Sequence, residues 1–555
     1  MGQDSYRSYI FDLFFLSLGL SLLFGFMLGE RPLAVPDEGR YMEIPREMLA
    51  SWDFITPRLN GVKYFEKPPL FYWLQTIPIK LFGISEWAGR LCPMILGIIG
   101  SLMVYGAGRS LFDRKTGLYA AIILATSTLY YVFTRLITLD MAVSVFVTGA
   151  LLSFLLAQKS SPGPKRRWLM YACSLSFALG FLTKGAMSIA IPGGVMFLWV
   201  LIFNRWSKLL PLYLPTSLVL FLTIATPWHV LVALKNPEFL WFYFVNEHVL
   251  RYLTTTHNRY GPIWYFIPVI LLGLLPWTAF LPQAIKDLVR KYRQDKQAWE
   301  VLSYLFLWAG LIFVFFSISS SKLVPYILPL FPALALIMGR FFASIPGTAL
   351  QPIKKSLWGY LGLNLFLAGV LSFVLFGTDL AEPEHWTYAC FVIGVWILSA
   401  LVVPLLGRLR GVRGVFEGMV GTAVCFFMIA SVAAPTLQKR SIKPIAEQIK
   451  QNFPPHTIVA NYHTYNQDLP VYLDRTIKVV GWTGELQFGM EQEDTSDWMW
   501  DEVTFWENWA KEETMCMVTN KGYYEQIKEN PNIHFLLVTE NQGDYLVCNR
   551  KKDAQ

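Results

Sequence analysis

The sequence carries little charge. Only 15% of its 555 residues are Asp, Glu, Lys or Arg, and 54% are hydrophobic, whereas an ordinary soluble domain is about 25% charged. The six cysteines include no CxxC pair, so zinc-finger and thioredoxin signatures are missing. No Walker loop, dinucleotide fingerprint or Gly-rich phosphate cradle occurs, so no nucleotide cofactor is expected. These absences favour a membrane protein.

Long apolar runs occupy most of the first 435 residues. Thirteen runs have roughly the 17–25 residues that a helix needs to cross the hydrocarbon core. The first run lacks a small-residue cleavage site, so it is interpreted as a retained helix and not as a signal peptide. The two short runs beside Lys184 could merge, which would put both chain ends on one side. The predicted spans lie near 9–28, 93–112, 117–133, 139–157, 168–183, 186–203, 210–234, 263–283, 299–319, 323–344, 357–377, 387–406 and 414–435.

The distribution of Lys and Arg predicts the orientation of these spans. Cationic residues accumulate in short cytoplasmic loops. With thirteen spans and the N-terminus inside, the inner segments carry nineteen Lys and Arg residues and the short outer loops carry six. The net charge of +8 therefore reports membrane topology and not nucleic-acid binding. The long first loop and the C-terminal tail are predicted to lie outside.

Three outer segments stand out. The first loop, about 29–92, contains two amphipathic stretches, 41–49 and 70–82, that are typical of helices lying flat on a membrane. A second loop, about 235–262, is rich in aromatic residues. The third segment is the tail, so the sequence predicts a membrane domain over 1–436 and a separate outer domain over 437–555.

The tail has the pattern of a small α/β domain. Residues 441–452 place three isoleucines on one face of a helix, and about 115 residues suffice for such a domain. Cys516 and Cys548 lie on two predicted strands in an oxidising compartment, where a disulfide and two buried thiols are both open interpretations. Short strands are predicted at 457–460, 470–473, 476–480, 515–518, 534–539 and 544–548.

Carboxylates cluster where the first span ends. Asp37 and Glu38 open the first outer loop, and Asp140 opens a later apolar span on the same predicted face. Helix capping or a solvated loop would explain a lone acidic pair. An ionisable residue at the edge of a span is costly and usually has a partner, so the grouping predicts a functional site. Asp12, in the inner half of the first span, is interpreted as structural.

Cations and tyrosines accompany these carboxylates on the predicted outer face. Such a set suits a phosphate attached to a lipid. Glu66 and His248 could hold a divalent metal, zinc or magnesium, because His and carboxylate are ordinary metal ligands. A lone His is more often a hydrogen-bonded structural residue. The cations and tyrosines are Arg40, Tyr41, Tyr64, Lys67, Lys184, Lys322 and Tyr326.

Several motifs resemble one known family. Pro-Asp-Glu-Gly-Arg-Tyr-Met-Glu-Ile-Pro-Arg-Glu-Met-Leu-Ala at 36–50, followed by Tyr-Phe-Glu-Lys-Pro-Pro at 64–69, closely resembles the lipid A aminoarabinose transferases, the ArnT family. Leu-Thr-Lys-Gly at 182–185 and Thr-Gly-Glu-Leu-Gln-Phe-Gly at 483–489 resemble further segments of that family. The N-terminal block is shared with a wider set of bacterial mannosyltransferase-like proteins, and the tail motif is narrower.

The resemblance covers essentially the whole chain and implies the fold of the GT-C glycosyltransferases. That fold would be an α-helical polytopic membrane protein with about thirteen transmembrane helices, outer interfacial helices and a small C-terminal α/β periplasmic domain. It also implies a donor and an acceptor. Undecaprenyl phosphate would carry 4-amino-4-deoxy-L-arabinose, and a phosphate of lipid A would receive it at the periplasmic face of the bacterial inner membrane, giving polymyxin resistance.

The resemblance also implies roles for individual residues. Asp37 and Asp140 match the acidic active-site positions of the family, and Glu38 is grouped with them. Arg40, Lys67 and Lys184 match positions expected to hold the carrier phosphate, while Glu66 and His248 match outer-cavity positions that could hold a metal.

Other functions stay open. A GT-C enzyme with a hydroxyl acceptor, such as one transferring mannose to protein Ser or Thr, would need Asp37 as a general base, since a hydroxyl must lose its proton. A close variant would transfer galactosamine to lipid A. A lipid or solute transporter is the non-enzymatic alternative. Transporters usually show inverted repeats and helices broken near the midplane, and the sequence shows no such internal repeat.

Overall fold

The protein is described by a computed structural model that covers residues 3–206, 211–250, 261–347, 349–378, 382–438, 440–511 and 513–549. The chain divides into two compact units. The first comprises 1–28, 93–229 and 244–437, and the second comprises 29–92, 230–243 and 438–555. The first outer loop therefore groups with the tail, whereas the sequence analysis placed it with the membrane domain.

The first unit is built from helices. Among the described residues, eight helices are long and apolar enough to cross a membrane, or nine if one bent pair counts as a span. The chain is thus an integral membrane protein with many spans. The helices that contribute to this unit are Gln3–Gly25, Glu86–Leu111, Arg114–Ala125, Thr128–Phe133, Asp140–Lys159, Pro164–Lys184, Met187–Ile202, Leu214–Lys235, Phe266–Gly273, Leu281–Tyr292, Lys296–Ile318, Phe331–Ser344, Lys354–Gly377 and Pro383–Leu437.

Every predicted span falls on helical structure, but three of the segments are interrupted. The span near 117–133 breaks at Thr126 and Ser127, whose hydroxyls donate to carbonyl oxygens one turn earlier, an interaction that often bends helices. The span near 263–283 bends by 105° around Pro276, because proline cannot continue a helical hydrogen-bond ladder. The span near 323–344 begins as a 3₁₀ helix. The count of thirteen stays a prediction, since several of these helices are too short to cross a membrane alone.

Two glycines interrupt the helices of the first unit. Helix Pro164–Lys184 stops at Gly185, which has a φ of 73°, and the next helix starts at Met187. The two short segments around Lys184 are therefore separate helices. Within Pro383–Leu437, Gly411 has a φ of 64° and joins two helices across a kink, because glycine adopts this left-handed conformation at little cost.

A buried carboxylate ties the first helix to its neighbours in the first unit. Asp12 is 5% exposed and accepts hydrogen bonds from Tyr105 at 2.6 Å, Arg109 at 3.0 Å and Arg114 at 2.6 Å. A buried charge with this many partners is compensated for its lost hydration. The structural interpretation of Asp12 is borne out.

The second unit begins with two helices, Asp37–Ser51 and Leu70–Phe82, at the two amphipathic stretches. Charged residues of the first helix lie inside the unit and not at its surface. Glu43 and Arg46 are buried and form a bidentate ion pair at 2.6 and 2.7 Å, and Glu47 accepts from the Gly61 amide at 2.9 Å. Paired in this way, charged groups can enter a core.

A tight hairpin joins the outer loop to the tail within this unit. Strands β1 (Arg58–Leu59) and β2 (Val62–Lys63) are antiparallel, and the turn residues Asn60 and Gly61 have φ values of 52° and 82°, as a type I′ turn requires. The Asn60 side chain donates to the Ile477 carbonyl at 3.0 Å and accepts from its amide at 2.9 Å.

The tail contains a six-stranded mixed sheet flanked by helices, which confirms the predicted α/β class. The strands are β3 (Ile458–Tyr462), β4 (Lys478–Val480), β5 (Met499–Trp500), β6 (Met515–Asn520), β7 (Leu536–Asn541) and β8 (Asp544–Cys548). Their order is β5-β4-β3-β6-β8-β7, and only the pairings of β8 are antiparallel. The helices of the tail are Lys443–Asn452, Leu469–Leu473, Gln487–Met490, Glu502–Trp509 and Lys521–Glu529.

Two expectations about the tail have definite outcomes. The predicted strand at 470–473 is wrong, since Leu469–Leu473 is a short helix with Pro470 in its first turn, where the fixed φ of proline favours helix. Cys516 and Cys548 face each other on β6 and β8 with Cα atoms 4.0 Å apart and form a disulfide.

Candidate active site

A glycine explains how the motif at 36–41 is placed. A Cβ added to Gly39 would lie 2.6 Å from the backbone nitrogen of Asp468 and 2.7 Å from the carbonyl carbon of Gln467. The start of helix Asp37–Ser51 therefore packs directly against the backbone of the tail. Any other residue at this position would push away the helix turn that carries Asp37 and Arg40.

Arg40 is the centre of a polar cluster in the second unit. Its guanidinium donates to Asp37 at 3.1 Å and lies 2.5 Å from Glu485. The Arg40 side chain is 16% exposed, and its Nε has no hydrogen-bond partner among the described residues. Asp37, in contrast, is 58% exposed. The cluster thus presents an exposed carboxylate beside a largely buried cation.

Glu485 is the residue that sequence reasoning missed. It accepts a hydrogen bond from Gln467 at 2.9 Å besides pairing with Arg40. Burial raises the pKa of the Glu485 carboxyl, and the nearby Arg40 guanidinium opposes that rise. The signal was present in the tail motif 483–489, but nothing local in that motif says that its carboxylate meets Arg40.

Glu38 is placed differently from its neighbour Asp37. It is buried and accepts hydrogen bonds from Arg31 at 2.7 Å, from Arg90 at 2.9 Å and from the Ala34 amide at 2.7 Å. Burial raises the pKa of Glu38, but Arg90 and Arg31 outweigh that effect, so the net pKa is below the ordinary value. With its carboxylate held by two arginines, Glu38 suits a structural role better than the predicted catalytic one.

Tyrosines line the same region of the second unit. Tyr41 packs against the rings of Phe71 and Tyr72, with centroids 5.7 and 5.9 Å away. Tyr64 is 3% exposed, and burial, reinforced by the charge of Glu66, raises the pKa of its hydroxyl. Because the hydroxyl stays protonated, Tyr64 is suited to donating a hydrogen bond.

Glu66 and Lys67 lie side by side after this tyrosine. The Lys67 ammonium donates to the Glu66 carbonyl at 2.7 Å and lies 3.8 Å from the Glu66 carboxylate. His248 belongs to the π-helical segment Trp241–Leu250, but its side chain lies outside the described residues. The pairing of Glu66 with His248 therefore stays a prediction.

The first unit holds its own carboxylate–cation pair. Asp140 begins helix Asp140–Lys159, and Lys184 ends helix Pro164–Lys184, so each charge sits at the helix end that its sign favours. Their side chains form an ion pair at 2.6 Å. The Lys184 ammonium also lies 4.9 Å above the ring of Tyr326. Three predicted site residues therefore meet here.

Lys322 lies just before the 3₁₀ helix that carries Tyr326. Its side chain is 7% exposed, and its ammonium donates to the Ser319 carbonyl at 2.5 Å. No ion pair to Lys322 is found among the described residues.

Each unit combines a carboxylate, a cation and a tyrosine, a set that can bind a phosphate and balance positive charge on a sugar.

Known proteins share similarity with this chain over both its membrane part and its tail. The profile of the dolichyl-phosphate-mannose-protein mannosyltransferase family matches 66–231, and that of the aminoarabinose transferase C-terminal domain matches 445–548. The undecaprenyl phosphate-alpha-4-amino-4-deoxy-L-arabinose arabinosyl transferase of Erwinia tasmaniensis is 30% identical over 70% of this chain and 76% of its own length. A transferase of the same name from Proteus mirabilis is 28% identical over 97% and 98% of the two chains.

A solved structure extends the similarity to the fold. The crystal structure of ArnT from Cupriavidus metallidurans bound to undecaprenyl phosphate has 30% sequence identity and a TM-score of 0.85, covering 96% of this chain and 97% of that one. The helical membrane unit, the polar clusters and these matches define a membrane glycosyltransferase of the GT-C class. Within that class, the chain belongs to the ArnT family of undecaprenyl phosphate-aminoarabinose arabinosyl transferases.

Proposed function

We propose that this chain transfers 4-amino-4-deoxy-L-arabinose from undecaprenyl phosphate to a phosphate of lipid A. The observation that carries the proposal is the similarity over nearly the full length to a structure bound to undecaprenyl phosphate. The sugar adds an ammonium group to an anionic acceptor. The modified lipid therefore attracts cationic peptides less strongly, which accounts for polymyxin resistance.

The charges of the two clusters suit this reaction. The acceptor phosphate is already anionic near neutral pH, so no strong general base is required. The departing undecaprenyl phosphate needs cations, and each cluster offers them: Arg40 and Lys67 in the second unit, and Lys184 in the first. The sugar carbon gains positive character as its bond to the phosphate breaks, and Asp37 or Asp140 stabilises that charge or pairs with the ammonium of the sugar.

Arg40 would exchange partners during the cycle. In this structure Asp37 and Glu485 occupy its guanidinium. A carrier phosphate competes with Glu485 for the same N–H groups, because guanidinium binds phosphate and carboxylate in similar bidentate geometry. Glu485 therefore competes with the donor phosphate for the guanidinium of Arg40.

The proposed location is the bacterial inner membrane with both polar clusters and the tail on the periplasmic side. Nineteen cationic residues in the predicted inner segments against six in the outer short loops support this orientation. The Cys516–Cys548 disulfide supports it independently, because disulfides persist in the periplasm and are rare in the cytosol.

A divalent metal at Glu66 and His248, zinc or magnesium, is a separate proposal. Glu66 fits a metal in chemistry and is 23% exposed, but the Lys67 ammonium beside it competes for the same oxygens. Glu66 and His248 would hold such an ion, which would supply Lewis-acid stabilisation of an anionic phosphate. Such an ion would stabilise the leaving phosphate, as Arg40 and Lys67 do.

The deciding experiment is mass spectrometry of lipid A from a transferase-null Gram-negative strain that makes the donor and expresses this chain. A mass increase of one aminoarabinose on a phosphate, together with polymyxin resistance, is the expected result. A mass increase of one galactosamine would show that the donor carries galactosamine and not aminoarabinose. Unmodified lipid A with newly glycosylated membrane proteins would favour the Ser/Thr mannosylation that the first family match suggests.

A further inference from the structure

A groove in the first unit involves neither Asp140 nor Lys184. It has a volume of about 600 Å³ and lies between helix Lys354–Gly377 and the part of helix Pro383–Leu437 before the kink at Gly411. The two helices are joined by a buried hydrogen bond between the hydroxyls of Tyr360 and Ser399, which are 2.6 Å apart. The groove is therefore a feature of two packed apolar helices.

Each wall of the groove has a cation at one end and apolar side chains beyond it. On the first wall, Lys354 is followed by Trp358 and Leu361, at positions that share one helix face. On the second wall, Leu401 and Leu405 lead up to Arg408. Seven residues of helix span roughly 10 Å, so the apolar walls are about that deep.

The charge of the groove is entirely positive. No Asp or Glu lines it, and no carboxylate pairs with Lys354 or Arg408 within the described ranges. The neighbouring arginines beyond Arg408 are different, because Arg410 and Arg413 share Glu417 at 2.5 and 2.7 Å. Two uncompensated cations thus flank the mouth of an apolar groove.

The apolar walls face outward. Trp358 is 65% exposed and Leu401 is 64% exposed, so both are open to the acyl chains of a bilayer. Tryptophan is enriched where acyl chains meet headgroups, and basic pockets between membrane helices bind anionic lipid headgroups. The position of Trp358, one turn from Lys354, is where such a boundary would fall.

We propose that this groove binds one anionic phospholipid of the surrounding bilayer. Its phosphodiester headgroup lies between Lys354 and Arg408, and one acyl chain follows Trp358 and Leu361 along the first wall. With the orientation proposed above, this lipid belongs to the cytoplasmic leaflet. The site does not take part in sugar transfer, so it can be tested without donor or acceptor.

Native mass spectrometry of the full chain in mild detergent tests the site, with phosphatidylglycerol or phosphatidylcholine as the added lipid. The wild type is expected to retain one phosphatidylglycerol in preference to phosphatidylcholine. Lys354→Gln with Arg408→Gln should reduce that preference about 10- to 30-fold, as two cations near an anionic headgroup predict. Arg410→Gln with Arg413→Gln removes two charges nearby and should leave the preference intact. An equal loss in both double variants would overturn the site in favour of diffuse electrostatic attraction.

A second measurement locates the lipid on the groove wall. In nanodiscs with a small fraction of lipid brominated on the acyl chain, the fluorescence difference between wild type and Trp358→Phe reports quenching of Trp358. Brominated phosphatidylglycerol should quench this component several times more than brominated phosphatidylcholine, and the Lys354→Gln/Arg408→Gln variant should lose that difference. Equal quenching by both lipids in the wild type would overturn the proposal.

Discussion

Arg40 and Glu485 form an ion pair at 2.5 Å, although one residue lies near the start of the chain and the other in the tail. The pair joins the motif of the first outer loop to the narrow tail motif within one unit. Glu485 thereby occupies Arg40, the cation that we assign to the carrier phosphate. Under that assignment, binding of the carrier phosphate is coupled to the carboxylate of Glu485.

Glu485→Gln should strengthen the binding of undecaprenyl phosphate. The amide no longer competes electrostatically for Arg40, so the dissociation constant is expected to fall by about fivefold, equivalent to about 1 kcal/mol. Isothermal titration with the purified protein measures this change. Glu491→Gln, an exposed glutamate of the same segment, is the matched control and should leave binding unchanged. Weaker binding in Glu485→Gln would mean that Glu485 orients Arg40 for the phosphate.

Asp37→Asn should lower the rate of transfer strongly while leaving the fold intact. Asp37 is 58% exposed and makes one ion pair, to Arg40, so its loss costs well under about 1 kcal/mol of stability. Loss of a group that stabilises the transition state typically costs about 100-fold or more in turnover. The readout is the rate of lipid A modification beside the melting temperature. Asp474→Asn, at a position of the same unit that is 65% exposed, should keep normal activity. A folded, active Asp37→Asn protein would remove Asp37 from the site.

The effects of substituting Asp140 and Lys184 should be strongly coupled in a double-mutant cycle. Either Asp140→Asn or Lys184→Gln breaks the 2.6 Å pair and is expected to lower kcat/KM by about 100-fold. The double variant should be little worse than either single variant, because residues that act together are strongly non-additive. Lys184→Arg should recover part of the activity by keeping the charge over Tyr326. Fully additive losses would show that the two residues act independently.

Asp468 should make the folded chain less stable as pH rises. It is fully buried, and burial raises its pKa to about 7, a rise that backbone hydrogen bonds from Asp468 and Ile442 oppose only in part. The folded state then holds a proton that the unfolded state releases near pH 4. Stability therefore falls as pH rises from about 4 to 7 and is lowest above that window.

Asp468→Asn should remove this dependence. The melting temperature of the variant in detergent should exceed that of the wild type at pH 8 and match it near pH 4, with a free-energy difference of at most roughly 4 kcal/mol for three pH units. Asp474→Asn should show no such divergence. Parallel pH curves for wild type and Asp468→Asn would contradict the assignment.

The metal proposal makes a prediction about composition. Full-length protein purified without chelator should contain about one zinc per chain by plasma mass spectrometry if zinc is the ion. Glu66→Gln should reduce that content severalfold, whereas Glu493→Gln, a carboxylate that pairs with Arg58, should not. Equal metal content in Glu66→Gln and wild type would rule out Glu66 as a ligand.

The parts of the structure that sequence alone predicted are those that depend on local patterns. Continuous apolar runs located the membrane helices, and short apolar stretches located five of the six strands of the tail. These predictions succeed because a buried helix or strand requires apolar residues at a characteristic spacing in its own sequence. The pattern failed at 470–473, where an apolar run is too short to distinguish a strand from a helical turn.

The polar contacts of the site depend on which distant segments meet, and no local pattern encodes that. Glu38 looked equivalent to Asp37 because they are adjacent, yet Arg31 and Arg90 hold only Glu38. Glu43 and Arg46 belong to a stretch that was predicted to lie flat on a membrane, yet they neutralise each other inside the unit. The residue types were enough to predict a site of carboxylates and cations. Which carboxylate pairs with which cation could be identified only from the three-dimensional arrangement.

The division of the second unit into three stretches has a consequence for biosynthesis. Residues 29–92 leave the ribosome long before residues 438–555, and both are needed for one compact body. At about 5–20 residues per second, the helix that carries Asp37 waits on the order of tens of seconds for the backbone of Asp468 to pack against Gly39. Throughout that interval the ion pairs of this helix lack the surroundings that bury them in the finished unit, so the second unit can form only after the tail has been made.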